Sequence, residues 1–179
     1  MAGFPARWCV AGGWAIELYL GRKTRDHTDL ELAIFRNDQQ LLHQHLRDWE
    51  FQKIVNGQLQ LWPRGDWLEL PIHEIVARSE KLREARVEFL LNEQTDNSWV
   101  FRRRPTISLP IDGAVNLSVD GIPFLAPEIV LLFKAKSPKP KDELDFCATC
   151  LELDETRKKW LRSNLEAMHV SHPWIERLA

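Results

Sequence analysis

The chain has 179 residues, of which 44% are hydrophobic and 28% are charged, a composition typical of folded globular proteins and not of disordered or collagen-like chains. The net charge of -2 gives no overall field that attracts nucleic acid, and no apolar run reaches the roughly 20 residues needed to cross a bilayer. The N-terminal residues lack a signal-peptide pattern and the three cysteines make an odd count, so we expect a cytoplasmic protein with reduced thiols.

The first predicted elements follow the order strand, glycine turn, helix. Arg7 to Val10 is a short apolar strand, Ala11-Gly12-Gly13 is the turn, and Trp14 to Leu20 is a helix that ends near Gly21. Because glycine has no Cβ atom, backbone N–H groups at Gly12 and Gly13 can approach a phosphate beside the N-terminus of the helix. This order therefore predicts a phosphate-binding turn.

A strand with two acidic residues follows a polar connector. The predicted strand Asp29 to Phe35 alternates, with leucine and isoleucine on one face, so Asp29 and Glu31 share the other face. Mg²⁺ prefers oxygen ligands and is often held by one or two carboxylates together with substrate phosphates. Arg25 and His27 lie in the connector just before this strand, where a cation could contact phosphate oxygens.

The remaining pattern predicts an α/β or α+β fold, with a mixed sheet flanked by helices and a small helical C-terminal part. We place the boundary between residues 1–125 and residues 126–179. The elements predicted after the acidic strand are a helix over Asp38 to Trp49, hairpins of Phe51 to Val55 with Gln58 to Trp62 and of Arg86 to Leu91 with Trp99 to Arg103, a strand over Ile122 to Leu125, and helices from Pro127, over Lys141 to Leu151 and over Asp154 to Met168.

The run GGWAIELYLGRKTRDHTDLEL, Gly12 to Leu32, resembles the aminoglycoside adenylyltransferases and lincosamide nucleotidyltransferases of the polymerase-beta-like nucleotidyltransferase superfamily. A weaker resemblance extends through Pro127 to Phe133 and Lys141 to Phe146. The resemblance implies Mg²⁺-dependent transfer of a nucleoside monophosphate, with ATP as the expected donor, to a hydroxyl of a small molecule. It places the nucleotide at the glycine turn, Gly12 and Gly13, and the metal at Asp29 and Glu31, where a third carboxylate would complete a two-metal site. Arg25 and His27 are predicted to contact the same nucleotide because of their position before the strand.

The resemblance requires a third carboxylate from a later strand, and the candidates are Glu88 and Glu69. We favour Glu88, because its strand precedes a hairpin and the buried helix at about the spacing of the relatives. Glu31 and Glu88 both depart from the pattern, since the small-molecule resistance enzymes generally have aspartate at these places. The activity of the site is therefore an open question at the level of sequence.

Basic residues provide further candidates. Lys134, after the apolar run Ile129 to Phe133, could reach the triphosphate, or could be a surface lysine whose stem packs on apolar residues. Arg102, Arg103 and Arg104 could bind phosphate or RNA, but we favour a solvated strand edge, because alternate strand positions face opposite ways and the triplet cannot form one patch by itself. A rival function is a toxin-type transferase that modifies RNA or protein, and a further rival is a pseudo-transferase that binds nucleotide without turnover.

The predicted helix Lys141 to Leu151 leaves two interpretations open. Asp145 is either a general base or an acid that packs against a neighbouring helix. Cys147 and Cys150 have the spacing of redox or zinc motifs, but Cys147 shares a predicted apolar stripe with Leu144 and Leu151. We therefore predict that these cysteines are thiols in the core.

Overall fold

The computed structural model describes residues 1–79, 81, 86–168 and 171–179. The described residues form ten strands: β1 (Trp8–Val10), β2 (Leu30–Phe35), β3 (Glu50–Val55), β4 (Gln58–Leu61), β5 (Glu74–Arg78), β6 (Arg86–Thr95), β7 (Ser98–Val100), β8 (Ser108–Pro110), β9 (Val115–Leu117) and β10 (Pro123–Leu125). They also form seven helices: α1 (Gly12–Leu20), α2 (Gln40–His45), α3 (Ile111–Ala114), α4 (Pro127–Lys134), α5 (Pro140–Cys150), α6 (Glu155–Met168) and α7 (Trp174–Arg177).

The strands form a mixed sheet in the order β4-β3-β5-β6-β2-β1-β10-β9, and β7 and β8 extend from the far end of β6. β2 pairs with β6 and β1 pairs with β10 in parallel, whereas the other neighbours are antiparallel. The prediction of a mixed sheet flanked by helices is confirmed. None of the described helices is long and apolar enough to span a membrane.

The N-terminal unit differs from its prediction in where the helix begins. β1 is followed by Ala11 in extended conformation, and α1 begins at Gly12 itself, so the two glycines form the first turn of the helix. Gly12 has a φ of 59°, in the left-handed region that favours glycine. The helix ends where predicted, because Gly21 adopts the left-handed conformation that commonly closes helices.

The first hairpin is confirmed, and Asn56 and Gly57 have the positive φ values of 51° and 77° that a tight two-residue turn requires. The second hairpin was predicted with wrong boundaries. β6 continues to Thr95 and β7 ends at Val100, so Arg102 and Arg103 lie in a turn and not on a strand. The signal for this turn was Pro105, because proline restricts the residue before it and often marks the end of a regular element.

Strand β5 was not predicted, and it occupies the central position between β3 and β6. Residues 67–70, which carry Glu69, form no strand. The helix predicted over Asp38 to Trp49 is shorter, since α2 ends at His45 after a 3-10 turn over Arg36–Asp38. Hydrophobic spacing therefore located this helix but overestimated its length.

Helix α5 buries a different face from the predicted one. Leu144 and Leu151 are 59% and 84% exposed, and Cys147 is also exposed, so its assignment to the core was wrong. Cys9 and Cys150 are buried, as predicted for Cys150. The residues of α5 that face the interior are Asp142, Asp145, Phe146, Thr149 and Cys150. The helix has this orientation because cations inside the fold pair with its two aspartates.

One continuous hydrophobic core connects the sheet and the C-terminal helices. It includes Phe4 near the N-terminus, strand residues such as Phe89, and Leu131, Leu161 and Leu178 from the C-terminal part. All described strands precede residue 126, and helices α4 to α7 follow it. The division at residue 125 therefore separates the strands from helices α4 to α7, whereas α1 to α3 lie among the strands. That this division is a domain boundary stays a prediction.

Candidate active site

The parallel pairing of β2 and β6 brings two glutamates together. Glu31 lies directly opposite Glu88 in the register of the two strands. Side chains at paired positions of neighbouring strands point to the same face, so both carboxylates face the same side of the sheet. Asp29 precedes Glu31 by two residues, and both line a cavity over this face. The three acidic residues named from the sequence thus lie together near the N-terminal ends of β2 and β6, and we call this place the acidic corner.

The carboxylate of Glu31 is held in an unfavourable environment for a charge. Burial raises the pKa of Glu31, and the neighbouring charges of Asp29 and Glu88 raise it further, whereas Lys134 and Lys141 lower it. The net effect is a raised pKa. Burial is the largest of these influences, and the nearby lysines do not fully offset it.

The glycines make room for side chains and not only for a ligand. A Cβ atom on Gly12 would collide with the carboxylate of Glu31, and a Cβ atom on Gly13 would collide with Arg25 and His27. Ala11 and Gly12 line the cavity at the N-terminus of α1, so the positive end of the helix dipole faces it. The glycine pair therefore allows the acidic strand and the basic connector to pack closely against the start of α1.

The cavity over this corner has a volume of about 350 Å³ and lies between the sheet and the helices α4 and α5. Its size is in the range of small-molecule sites. Both acidic and basic side chains line it, together with a few apolar ones. The charged and histidine side chains in its lining are Arg25, His27, Asp29, Glu31, His73, Glu74, Arg102, Arg103, Lys134, Lys136, Lys139, Lys141 and Asp142.

Asp145 connects two of the cations predicted to bind nucleotide. Its fully buried carboxylate accepts hydrogen bonds from Nε and Nη2 of Arg25 at 2.7 and 3.0 Å, and Nζ of Lys134 lies 3.0 Å away. Lys134 also donates to Asp142 at 2.5 Å. Burial alone would raise the pKa of Asp145, but Arg25 and Lys134 outweigh it and hold the pKa below its usual range. Asp145 is thus a packing acid that fixes two cations, and a poor general base.

The connector that carries Arg25 and His27 is held by Glu17 of α1. The Glu17 carboxylate accepts backbone hydrogen bonds from Thr24 at 2.6 Å and Arg25 at 3.1 Å, and Nε2 of His27 lies 3.1 Å from it. Burial is the largest influence on the pKa of Glu17 and raises it, but these contacts together lower the pKa to about 2. Glu17 therefore stays ionised and positions the connector.

Trp14 completes the packing around His27 and Asp29. Its indole ring stacks on the His27 ring with centroids 4.5 Å apart, and its Nε1 donates a hydrogen bond to the backbone oxygen of Asp29 at 3.0 Å. Glu17 and Trp14 were not singled out from the sequence. Both lie on α1 within the glycine-containing run, but nothing in their spacing indicates that they contact the connector that follows this helix.

The three carboxylates fit Mg²⁺ in kind, because they are hard oxygen donors whose mutual repulsion a divalent cation would relieve. Their arrangement is not complete, since Glu88 is paired with Nη2 of Arg86 at 2.5 Å and is absent from the cavity lining. Among the described residues, no three histidine, cysteine, aspartate or glutamate side chains are grouped closely enough to hold a metal. Glu69 is exposed in the segment after β4 and is also absent from the cavity lining.

Several solved structures resemble the fold. The solution structure of the antibiotic-resistance factor ANT(2'')-Ia matches with a TM-score of 0.60 and 14% identity, covering 93% of this chain and 85% of that one. The crystal structure of ANT(2'')-Ia with adenylyl-2''-tobramycin matches with a TM-score of 0.59 and 14% identity, over 91% and 89%. The crystal structure of the lincomycin-bound lincosamide antibiotic adenylyltransferase LnuA matches with a TM-score of 0.55 and 17% identity, covering 80% of this chain and 85% of that one. At these identities the likeness shows the fold.

The sequence itself matches a family model. No curated protein is significantly similar to the chain. The model described as aminoglycoside-2''-adenylyltransferase matches residues 1–94, more than half of the chain and the part that contains Gly12, Asp29, Glu31 and Glu88. The chain belongs to the aminoglycoside-2''-adenylyltransferase family of nucleotidyltransferases.

Proposed function

We propose that the protein transfers a nucleoside monophosphate, AMP from ATP, to a hydroxyl of a small molecule in a Mg²⁺-dependent reaction. The observation that carries this proposal is the register of β2 and β6, which places Glu31 beside Glu88 with Asp29 nearby, under a cavity lined by cations. A protein that only bound a partner would have no need to concentrate carboxylates at the floor of such a cavity. The sequence predicts the cytoplasm as the location, where ATP is available.

Asp29, Glu31 and Glu88 are the residues that would hold the metal. When bound, Mg²⁺ would neutralise charge on the phosphate oxygens and bring the acceptor hydroxyl and the triphosphate together. For Glu88 to take part, its carboxylate must turn from Arg86 toward Glu31. The pairing with Arg86 is partly exposed, so this rotation is inexpensive.

The nucleotide would occupy the end of the cavity at Gly12. Arg25 and Lys134, both held by Asp145, and His27, held between Trp14 and Glu17, lie at this end and bind phosphate oxygens. The N-terminus of α1 adds backbone N–H groups and its dipole. Because these side chains are already fixed by buried partners, little reorganisation is needed when the triphosphate binds.

The reaction forms one bond and breaks one. The acceptor hydroxyl oxygen attacks the α-phosphorus in line, and the bond from this phosphorus to the α,β-bridging oxygen breaks. Pyrophosphate leaves with the electron pair of that bond. Glu88 lies on the side of Glu31 away from Gly12, and once its carboxylate has turned from Arg86 it would accept the hydroxyl proton. Asp145 does not serve this role, because Arg25 and Lys134 already engage its carboxylate.

The proposal is tested by incubating the purified protein with α-labelled ATP, Mg²⁺ and a panel of hydroxyl-bearing acceptors, cationic, neutral and anionic, that includes tobramycin and lincomycin. We expect a labelled adduct, with its rate reduced at least about 100-fold in Asp29→Asn, Glu31→Gln and Glu88→Gln. Glu69→Gln is the matched control, since Glu69 is exposed and outside the cavity, and its rate should equal that of the wild type.

Two results would contradict the proposal. Label transfer that survives Asp29→Asn and Glu31→Gln would show that the acidic strand does not hold the metal. Mg²⁺-dependent ATP binding without transfer to any acceptor would identify a pseudo-transferase instead. A loss of rate in Glu69→Gln together with an unchanged rate in Glu88→Gln would keep the proposal but make Glu69, and not Glu88, the third carboxylate.

A further inference from the structure

The cavity has a second end, far from the glycine turn. Along the sheet the strands run β1, β2, β6, β5, so Gly12 after β1 and Glu74 on β5 lie on opposite sides of the glutamate pair. Glu74 lies opposite Leu90, two residues after Glu88. From strand spacing and rise, the Cα atoms of Glu74 and Glu88 are roughly 8 Å apart. This second end is formed by His73, Glu74, Arg102 and Arg103, all of which line the cavity.

Two arginines at this end lie against an aromatic ring. The guanidinium of Arg102 lies 4.5 Å above the ring of Phe133, and Arg103 lies 5.4 Å from the same ring. Arg103 donates from Nη1 to the backbone oxygen of Phe133 at 2.8 Å. Within the described part of the chain, neither arginine has a carboxylate within 4.0 Å, and no hydrogen bond is formed by Arg102. Arg103 is exposed, whereas Arg102 is partly buried, so the Arg102 guanidinium without an anion is incompletely satisfied.

The carboxylate at this end is already engaged. Glu74 lies 3.2 Å from Nε2 of His73. The contact with His73 and the nearby charges of Arg102 and Arg103 lower the pKa of Glu74, against the effect of burial. Burial and the charge of Arg103 in turn lower the pKa of Arg102 to about 10. At this end, therefore, Arg102 and Arg103 face a single carboxylate, Glu74, which is already in contact with a histidine.

The whole cavity has the same bias. Seven lysines and arginines line it against four aspartates and glutamates, in a protein whose net charge is -2. Arg25 and Lys134 are already paired with Asp145 and lie at the nucleotide end, so the positive charge that an acceptor would meet is that of Arg102 and Arg103. A polycationic acceptor would be repelled there and would find Glu74 already in contact with His73. An acceptor with a negative group would instead satisfy the two arginines.

We propose that Arg102 and Arg103 bind a carboxylate or phosphate group of the acceptor, so that the acceptor is an anionic small molecule that also carries a hydroxyl. This inference rests on the proposed function, because in-line attack places the acceptor across the carboxylates from the nucleotide. The inference excludes polycations such as tobramycin from the expected acceptors.

The test uses protein loaded with Mg²⁺ and α,β-methylene ATP, an analogue that cannot transfer AMP and keeps the nucleotide end occupied. Inorganic phosphate and citrate are then titrated separately by isothermal titration calorimetry, so that phosphate and carboxylate recognition are distinguished. We expect saturable binding of at least one anion, weakened about tenfold or more in Arg102→Gln. The Arg102 side chain forms no hydrogen bond in the described structure, so this change removes its packing on Phe133 and no hydrogen bond. Arg103→Gln is the second variant, and it also removes the hydrogen bond to the backbone of Phe133.

Arg104→Gln is the matched control, because Arg104 belongs to the same triplet but lies outside the cavity lining and bonds to the backbone of Ala167. Its anion affinity should equal that of the wild type. Failure of the analogue to bind would overturn the proposed function. Analogue binding with no anion binding, with equal anion affinity in Arg102→Gln and Arg103→Gln, or with saturable tobramycin binding, would overturn this inference alone.

Discussion

At the scale of single residues, the site depends on side chains that are fixed by buried partners. Glu31 occupies the space that a Cβ atom on Gly12 would fill, and Arg25 and His27 occupy the space beside Gly13. Glycine is therefore required at both positions for the packing of the candidate site itself. The expectation that backbone N–H groups approach the triphosphate here stays a prediction.

Gly12→Ala is expected to impair transfer much more than it impairs stability. The positive φ at Gly12 costs alanine about 1–3 kcal/mol, and the Cβ atom displaces the Glu31 carboxylate. A displacement of about 1 Å at a metal ligand lowers the transfer rate about 100-fold. The free energy of unfolding from urea titration and the transfer rate with labelled ATP measure the two effects.

Gly21→Ala is the control for this prediction. Gly21 has a similar φ of 65°, and no atom lies within 4 Å of the position that a Cβ atom would take there. It should lose a similar amount of stability and keep its transfer rate. Equal transfer rates in the two variants would show that the Gly12–Glu31 packing is irrelevant to catalysis.

Glu17→Gln is expected to lower stability in a pH-dependent manner. The pKa of Glu17 is lowered to about 2 in the folded protein, so its carboxylate stabilises the fold fully above its unfolded pKa, near 4.5, and this stabilisation is lost as pH falls toward 2. The variant should therefore be less stable than the wild type at pH 7, and the difference should shrink below pH 4.5. Urea titrations from pH 3 to pH 7 measure this, and a difference that grows on acidification would contradict it.

At the scale of elements, the position of α5 is decided by charge and not by its apolar stripe. Asp142 and Asp145 turn inward to pair with Lys134 and Arg25, which leaves Leu144 exposed. Burying four charges is favourable only when they are paired with good geometry, as they are here. The same ion pairs attach α5 to α4 and to the connector, so the stability of these elements and the shape of the cavity depend on each other.

Asp145→Asn is expected to destabilise the protein by about 3 kcal/mol, because it leaves Arg25 without its buried counterion and Lys134 with one partner only. Glu166→Gln, which removes an exposed ion pair with Arg162, should change stability by less than about 0.5 kcal/mol. Urea unfolding of both variants provides the comparison. A loss at Asp145 as small as that at Glu166 would show that the buried network does not hold α5.

At the scale of the whole molecule, the sheet and the C-terminal helices share one core. Leu131 and Leu161 belong to the same buried cluster as Phe89 of the sheet. The helices also form one wall of the cavity, through Lys134, Lys139 and Lys141. The proposed active site therefore exists only when both parts are folded together.

This shared core predicts a single cooperative unfolding transition. Trp62 and Trp99 are fully buried in the sheet part and Trp174 in the helical part, so tryptophan fluorescence reports on both. The fluorescence and far-UV circular dichroism transitions in urea should coincide. Two separated transitions would show that residues 1–125 and 126–179 are independently folding domains.

The sequence by itself determined the local elements and the order in which the glycine turn and the acidic strand follow each other along the chain. The strand, glycine pair, helix and acidic strand follow from hydrophobic spacing and glycine conformation, which are properties of neighbouring residues, and they led to the family and the mixed sheet. Tertiary structure alone decided which distant groups meet. The register of β2 with β6 sets Glu88 and not Glu69 beside Glu31, and buried cations turn Asp145 inward. The turn after β7 directs Arg102 and Arg103 into the cavity, because a turn does not impose the alternation of a strand.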